Sequence, residues 1–221
     1  MLPWRGAALA YRILFLLVTA WALALLLDLD EGRFDPVVFV FFTALSNLAV
    51  LVWAALSVAV TARDGVRDGW RGASSPSPRG AGYPLMSIIV TMLIYLIVLT
   101  PTVPADELFT LEDTLVHVVV PVLMILDWLL FTPKGRQRWY DPLLWAIPPY
   151  VYLGWAFLHH ATGGDFSGRP YPYPFMNVDR IGWDGFLLYA LALTLGLEIV
   201  AYLIHLIDRL LGRRARRRVA G

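Results

Sequence analysis

The stretch FFTALSNLAVLVWAAL, residues 41–56, is apolar enough to lie in hydrocarbon, yet it carries Thr43, Ser46 and Asn47 within little more than one helical turn. It belongs to a longer apolar run, Pro36 to Val60, which exceeds the ~20 residues that a helix needs to cross a ~30 Å hydrocarbon core. Further apolar runs cover Ala7 to Leu27, Pro84 to Leu99, Leu111 to Phe131, Leu143 to Leu158 and Gly185 to Ile207. None alternates with period 2, and the runs are too long for the strands of a membrane barrel. The expected fold is an all-α membrane protein: a six-transmembrane-helix bundle forming one domain over residues 1–221.

Composition agrees. The chain is 58% hydrophobic and 16% charged, whereas soluble domains run near 45–50% and 25%. There is no cysteine, which excludes disulfides, thiol nucleophiles and thiolate metal sites. No phosphate-binding glycine motif opens a helix, so nucleotide and nucleic-acid chemistry have no foothold. His159 and His160 are adjacent and diverge by about 100° on a helix, which is not a metal-ligand spacing. No metal or cofactor is expected.

Lys and Arg in short connections favour the cytoplasmic side. Arg63, Arg67, Arg71 and Arg79 follow the second run, Lys134, Arg136 and Arg138 follow the fourth, and Arg209, Arg213, Arg214, Arg216, Arg217 and Arg218 fill the tail. DLDEGRFD and TPTVPADELF carry one Arg between them. Both termini are therefore expected in the cytoplasm of a bacterial cell, with the linker at about 61–83 inside and the loop at about 159–184 outside. The first run reads as a retained helix rather than a cleaved signal, with Arg12 snorkelling to the headgroups. The linker, rich in Gly, Ser, Pro and Arg, reads as a mobile connection. The tail at 208–221 is expected to hold anionic lipid headgroups. The run RPYPYPF is read as an extended aromatic segment against the outer mouth.

Thr43 lies seven residues into the inward-running second span, and His117 seven residues into the inward-running fourth. At 1.5 Å per residue both sit about 10 Å below the outer surface. A threonine hydroxyl becomes a nucleophile when an adjacent base takes its proton, and neutral imidazole is that base near neutral pH. Asp113, four residues before His117, falls on the same helical face and can orient the ring. Asn47 and Ser46 are candidate donors to an oxyanion. A second set, Asp127, Glu198 and His205, lies deeper and suits a proton path or a structural cluster. Asp127 is expected to pair with Lys134 or Arg136.

The segments FFTALSNL, LEDTLVHVVVPVLMILDWLLF and YPYPFMNVDRIGW, placed on six spans, resemble bacterial Pr6Pr-type membrane proteins. These are similar to the eukaryotic androgen-induced-gene and androgen-dependent TFPI-regulating proteins. That resemblance implies intramembrane hydrolysis of fatty acid esters of hydroxy fatty acids, with Thr43 as nucleophile and His117 as its partner. Asp113 and Asn47 enter through spacing alone. The function expected is hydrolysis of a lipid ester that enters from the bilayer. A proton-coupled transporter or lipid-binding protein built on Asp127, Glu198 and His205, and a non-catalytic partner protein acting through its tail, are the competing readings.

Overall fold

The computed structural model describes residues 2–102 and 108–220, with side chains described as far as Arg213. Residues 103–107 of the TPTVPADELF segment and the side chains of Arg214, Arg216, Arg217 and Arg218 lie outside the described residues. Among the described residues the chain is all helical and has no strand. Helix α1 is Arg5–Leu26, α2 Phe42–Asp68, α3 Gly82–Thr102, α4 Leu111–Phe131, α5 Asp141–Trp145, α6 Ile147–Ala161 and α7 Val178–Ala220. Helices α1, α2, α3, α4 and α7 are long and apolar enough to cross a membrane, the pattern of an integral membrane protein.

The expected fifth span is not one rod. It breaks at Ala146 into α5 and α6. Pro148 and Pro149 cause the break, because neither has an N–H for the carbonyls of Leu144 and Trp145 and their rings clash with those carbonyls. The last helix starts at Val178, earlier than Gly185, and kinks at Gly182, whose φ of 70° and ψ of 168° suit only glycine.

Helices α1 to α4 form the core, closed by Phe15, Val50, Ile88, Val120 and Met124. Helix α5 docks on the start of α3 through Trp145, which is fully buried; a Cβ at Gly82 would overlap its indole. Helix α7 is peripheral: most of its apolar stretch is left uncovered by the rest of the bundle, whereas α3 and α4 are the most deeply packed of the five long helices. The fold is thus a tight four-helix core with α6 and α7 laid beside it.

Helices α3 and α4 each widen into a π-helical segment, Ile94–Leu99 and Leu115–Val119. A proline follows each at the offset that explains it. Pro101 and Pro121 would clash in an α-helix with the carbonyls four residues back, those of Ile97 and His117, and the wider turn relieves both. Such bulges recur at functional sites.

The linker at 69–81 is pinned rather than loose. Arg5 donates to the carbonyls of Gly69 (2.7 Å) and Arg71 (2.5 Å) and to Ser74 Oγ (3.0 Å), while Arg79 forms a two-pronged pair with Asp141 at 2.6 and 2.9 Å. Burial alone would raise the Asp141 pKa, but bonds from Arg79 and the Arg138 N–H hold it below the ordinary carboxylate range.

Candidate active site

Thr43 is the second residue of α2. The chain reaches it through a 3₁₀ turn, Pro36–Val40, capped by Asp35, whose carboxylate accepts the Val37 N–H at 2.9 Å. The first bond of α2 runs from Leu45 N–H to the Phe41 carbonyl at 3.4 Å. The N–H groups of Phe42, Thr43 and Ala44 therefore precede the helical ladder and point at the end where the hydroxyl sits.

The Thr43 hydroxyl lies 3.3 Å from His117 Nε2, so α2 and α4 meet where the matching depths place them. His117 Nδ1 is 2.8 Å from Asp113 Oδ1 and 3.1 Å from the Asp113 carbonyl. Both neighbours are acceptors, which puts the imidazole proton on Nδ1 and leaves Nε2 free to accept. That is the tautomer a base toward Thr43 needs.

Asp113 is itself held. Its Oδ2 accepts the Tyr95 hydroxyl and, at 3.2 Å, the Phe109 N–H. Thr110 caps α4 by accepting the Asp113 N–H at 3.2 Å, so Thr110–Asp113 is a variant of the capping box in which the acid reaches back past the cap. The Tyr95 ring stacks on His117 with centroids 4.2 Å apart and planes 14° from parallel. Tyr95 and His117 sit on the two π segments. No spacing rule on one helix links Tyr95 to the site; the only local sign is its place six residues before Pro101.

Ser46 and Asn47 do not offer free donors toward Thr43 and His117. The Ser46 hydroxyl donates to the Thr43 carbonyl at 3.0 Å and meets Thr91 Oγ1 at 2.7 Å. Asn47 Nδ2 donates to the carbonyls of Thr43 (2.9 Å) and Val116 (3.2 Å). Both donors are thus committed to carbonyls, one of them in the π segment of α4. These two residues brace Thr43 and fix α2 against α4.

The RPYPYPF segment lies at the site. The Tyr173 hydroxyl accepts the Phe42 N–H at 3.2 Å, and its ring stacks on Phe175 at 5.5 Å. Burial pushes the Tyr173 phenol above its ordinary pKa, against the pull of the Thr43 hydroxyl and the Phe42 N–H, so the phenol stays neutral. A cavity opens beside it, lined by Thr43, His117, Tyr173 and Phe175 at one end and by Met86, Pro142, Glu198 and Ala201 toward the other. It offers about 100 Å³ to the centre of a water molecule, against ~10–15 Å³ for a single water. Its wall along α3 runs from Met86 to Leu99, ~20 Å at helical rise, longer than the ~15 Å half-thickness of a hydrocarbon core.

The deeper acidic set does not form one site. Asp127 pairs with Arg12, Oδ1 to Nε at 2.7 Å, with both residues 0% exposed. Arg12 also donates to Thr61 Oγ1 at 2.6 Å and the Ser74 carbonyl at 3.0 Å. This overturns both the snorkelling of Arg12 and the pairing of Asp127 with Lys134 or Arg136. Lys134 instead caps α4, donating to the carbonyls of Trp128 and, at 2.8 Å, Thr132, with its ammonium 4.1 Å above the Trp128 ring centre. Glu198 lines the cavity, and His205 is buried away from it. A further buried acid, Asp208, accepts the N–H groups of Gly135 (2.9 Å) and Gln137 (3.3 Å).

His159 stacks on Trp155 at 5.1 Å and contacts the Asp165 carbonyl at 3.2 Å, while His160 packs on Tyr171 at 4.4 Å. No group of three metal-ligating side chains occurs among the described residues. Compared with protein-family models, curated proteins and solved structures, the chain matches none.

Proposed function

We propose that this protein is an intramembrane hydrolase of lipid esters in which Thr43 is the nucleophile, His117 the base and Asp113 the group that orients His117. The observation that carries the reading is the chain of contacts Thr43 Oγ1 to His117 Nε2 at 3.3 Å and His117 Nδ1 to Asp113 at 2.8 Å, set at one end of a long apolar cavity. The resemblance of FFTALSNL and LEDTLVHVVVPV to the threonine hydrolases points to the same two residues.

His117 takes the hydroxyl proton at Nε2 as Thr43 Oγ1 attacks the ester carbon. The resulting oxyanion lies at the start of α2, where N–H groups precede the helical ladder, Tyr173 holds that of Phe42, and the helix dipole favours negative charge. His117 then passes the proton to the leaving alkoxide, which departs as an alcohol and leaves an acyl-threonine. Water, deprotonated by His117, attacks the acyl carbon; the proton returns to Thr43 and the acid is released. The arginine asymmetry supports a site in the outer leaflet of the cytoplasmic membrane, with both termini inside. At ~10 Å depth, water needs only a short path. The broken α5–α6 pair stands as the sixth crossing, and the tail arginines engage anionic headgroups.

The transporter reading loses Asp127 to Arg12 and keeps Glu198. It requires that neutralising Glu198 abolish function while Thr43→Ala has little effect. Mass spectrometry after exposure to a lipid-like fluorophosphonate tests the hydrolase. An adduct on Thr43 in the wild type, lost in Thr43→Ala and in folded His117→Ala, is the expected result. No adduct, with a probe that labels a control lipid hydrolase, would sink the reading.

A further inference from the structure

The cavity walls are almost wholly apolar, and nearly every polar group on them already has a partner. Thr91 is bonded to Ser46, Tyr152 donates to the Val40 carbonyl at 3.0 Å, and Tyr150 meets Thr194 Oγ1 at 2.6 Å. Glu198 is the exception. It lines the cavity, Oε2 is buried, and that oxygen has no hydrogen-bond partner among the described residues. An unpartnered carboxyl oxygen at membrane depth is costly and is rarely kept without a use.

Its position along the cavity is defined by α7. Tyr189 packs against Phe175 at 6.5 Å, and Phe175 stacks on Tyr173 at the Thr43 end. Glu198 is nine residues further along the helix, ~13 Å at helical rise. Thr194, one turn before it on the same helix, and Tyr150 on α6 also line the cavity. A strip of polar groups therefore faces the cavity well beyond the reacting atoms.

We propose that Glu198 marks a second polar subsite, which accepts a hydrogen bond from a hydroxyl on the acyl chain of the lipid. With C–C bonds of ~1.5 Å, each advancing an extended chain by slightly less, the ~13 Å rise along α7 from Tyr189, at the Thr43 end, to Glu198 matches roughly ten carbons and sets the scale of the spacing between ester carbonyl and hydroxyl. The substrate class is a lipid ester whose acyl chain carries a mid-chain hydroxyl. A plain chain would leave the Glu198 oxygen unpaired, and sites built around such a group discriminate against ligands that lack the matching donor. A hydroxyl suits the place better than a cation, because the remaining polar neighbours, Thr194 and Tyr150, are neutral hydroxyls already bonded to each other and to the Ala190 carbonyl and bring no further negative charge. The proposal rests on the hydrolase reading only for placing the carbonyl at Thr43.

Binding tests it independently of turnover. The full chain in phosphatidylcholine nanodiscs would be titrated with three methyl ketones of equal length: one plain, one with a hydroxyl and one with an amine ten carbons from the carbonyl. The hydroxylated ketone is expected to bind about tenfold tighter than the plain one, the scale of one hydrogen bond to a charged or strongly polar group. Glu198→Leu should bring the ratio near one, and Glu198→Gln, which keeps an acceptor oxygen, should retain part of it. Equal binding of the plain and hydroxylated ketones by wild type, or a ratio unchanged in Glu198→Leu, overturns the subsite. Tightest binding of the amine overturns its assignment to a hydroxyl. Discrimination by a protein that never labels at Thr43 would keep the subsite and defeat the hydrolase.

Discussion

Two constellations in this bundle, one half-buried and one buried, use nearly the same parts. At one end, Asp113, His117 and Thr43 are linked by contacts of 2.8 and 3.3 Å; at the other, Asp127, Arg12 and Thr61 are linked by contacts of 2.7 and 2.6 Å. Each has an aspartate, a nitrogen base or cation and a threonine hydroxyl, and each joins helices distant in sequence. The difference lies in what remains unused. In the second, the guanidinium is permanently charged and cannot take a proton, the Thr61 hydroxyl already donates to the Ser57 carbonyl at 2.6 Å, and both charged residues are sealed from solvent. In the first, the base can change its protonation state, the hydroxyl is aimed at it, and both line a cavity. Access and spare bonding capacity, not residue type, separate the first constellation from the second.

The comparison breaks most readily at Thr43. Thr43→Ala should reduce ester hydrolysis by about 10⁴-fold or more, as expected for removal of a nucleophile that works as part of a unit. The midpoint of thermal unfolding should move little, because the side chain leaves no buried charge behind. A large loss of stability with residual hydrolysis near wild type would make Thr43 the clamp residue instead. The converse holds for Asp127→Ala. Removing one member of a buried pair costs about 3–5 kcal/mol, so thermal unfolding in detergent should show a collapse. The double variant Arg12→Met, Asp127→Leu should recover most of that loss, since apolar side chains of similar size replace buried ion pairs with little penalty. Failure of the double variant to recover would mean that the Arg12 bonds to Thr61 and Ser74 dominate the clamp.

Tyr173→Phe probes the open end with a smaller effect. Its hydroxyl occupies the Phe42 N–H, where an oxyanion would also be drawn. As a neutral phenol it can donate there, so its loss should lower turnover about tenfold, less than the roughly 10²–10³ that a dedicated oxyanion donor is worth. Faster turnover in the variant would show instead that the hydroxyl competes with substrate for the start of α2.

Much of this was legible in the chain, and the physical reason is periodicity. Span lengths follow from hydropathy, and depth follows from counting residues at 1.5 Å, which is enough to set Thr43 level with His117 and to put Asp113 one turn from the ring. Local capping accounts for Thr110. Pairings between helices leave no such mark. Nothing in the spacing of Arg12 and Asp127, 115 residues apart, says that they meet, and the headgroups offered Arg12 an equally sound partner. Tyr95 reaches Asp113 because a π segment turns it there, and Pro101 hints at the bulge without fixing its direction. Ser46 and Asn47 were readable as polar groups near Thr43, but only packing shows that their donors are committed to carbonyls. The break at Ala146 was available from Pro148 and Pro149; hydropathy averages smooth over it.

Lys134 gives a test that separates the two ends by pH. It stands seven residues after Asp127 and on sequence was a partner for it, whereas the structure seats it on Trp128 and the last carbonyls of α4. Burial there lowers its pKa from 10.5 to about 8, with Asp208 and Asp127 pulling in the opposite direction. Between pH 8 and 10.5 the unfolded chain therefore binds more protons at this residue than the folded one, so stability rises with pH across that window and levels off above it. Below pH 8 the buried charge costs roughly 3 kcal/mol. The wild type should accordingly melt higher at pH 10 than at pH 7, and Lys134→Met should lose most of that difference, chiefly by gaining stability at pH 7. If Lys134 were the counter-ion of Asp127, the same substitution would strand a buried carboxylate and lower the melting point at both pH values. A gain at pH 7 thus keeps Asp127 with Arg12 in a closed clamp, and a loss at both would move the pair and reopen that end of the bundle to titration.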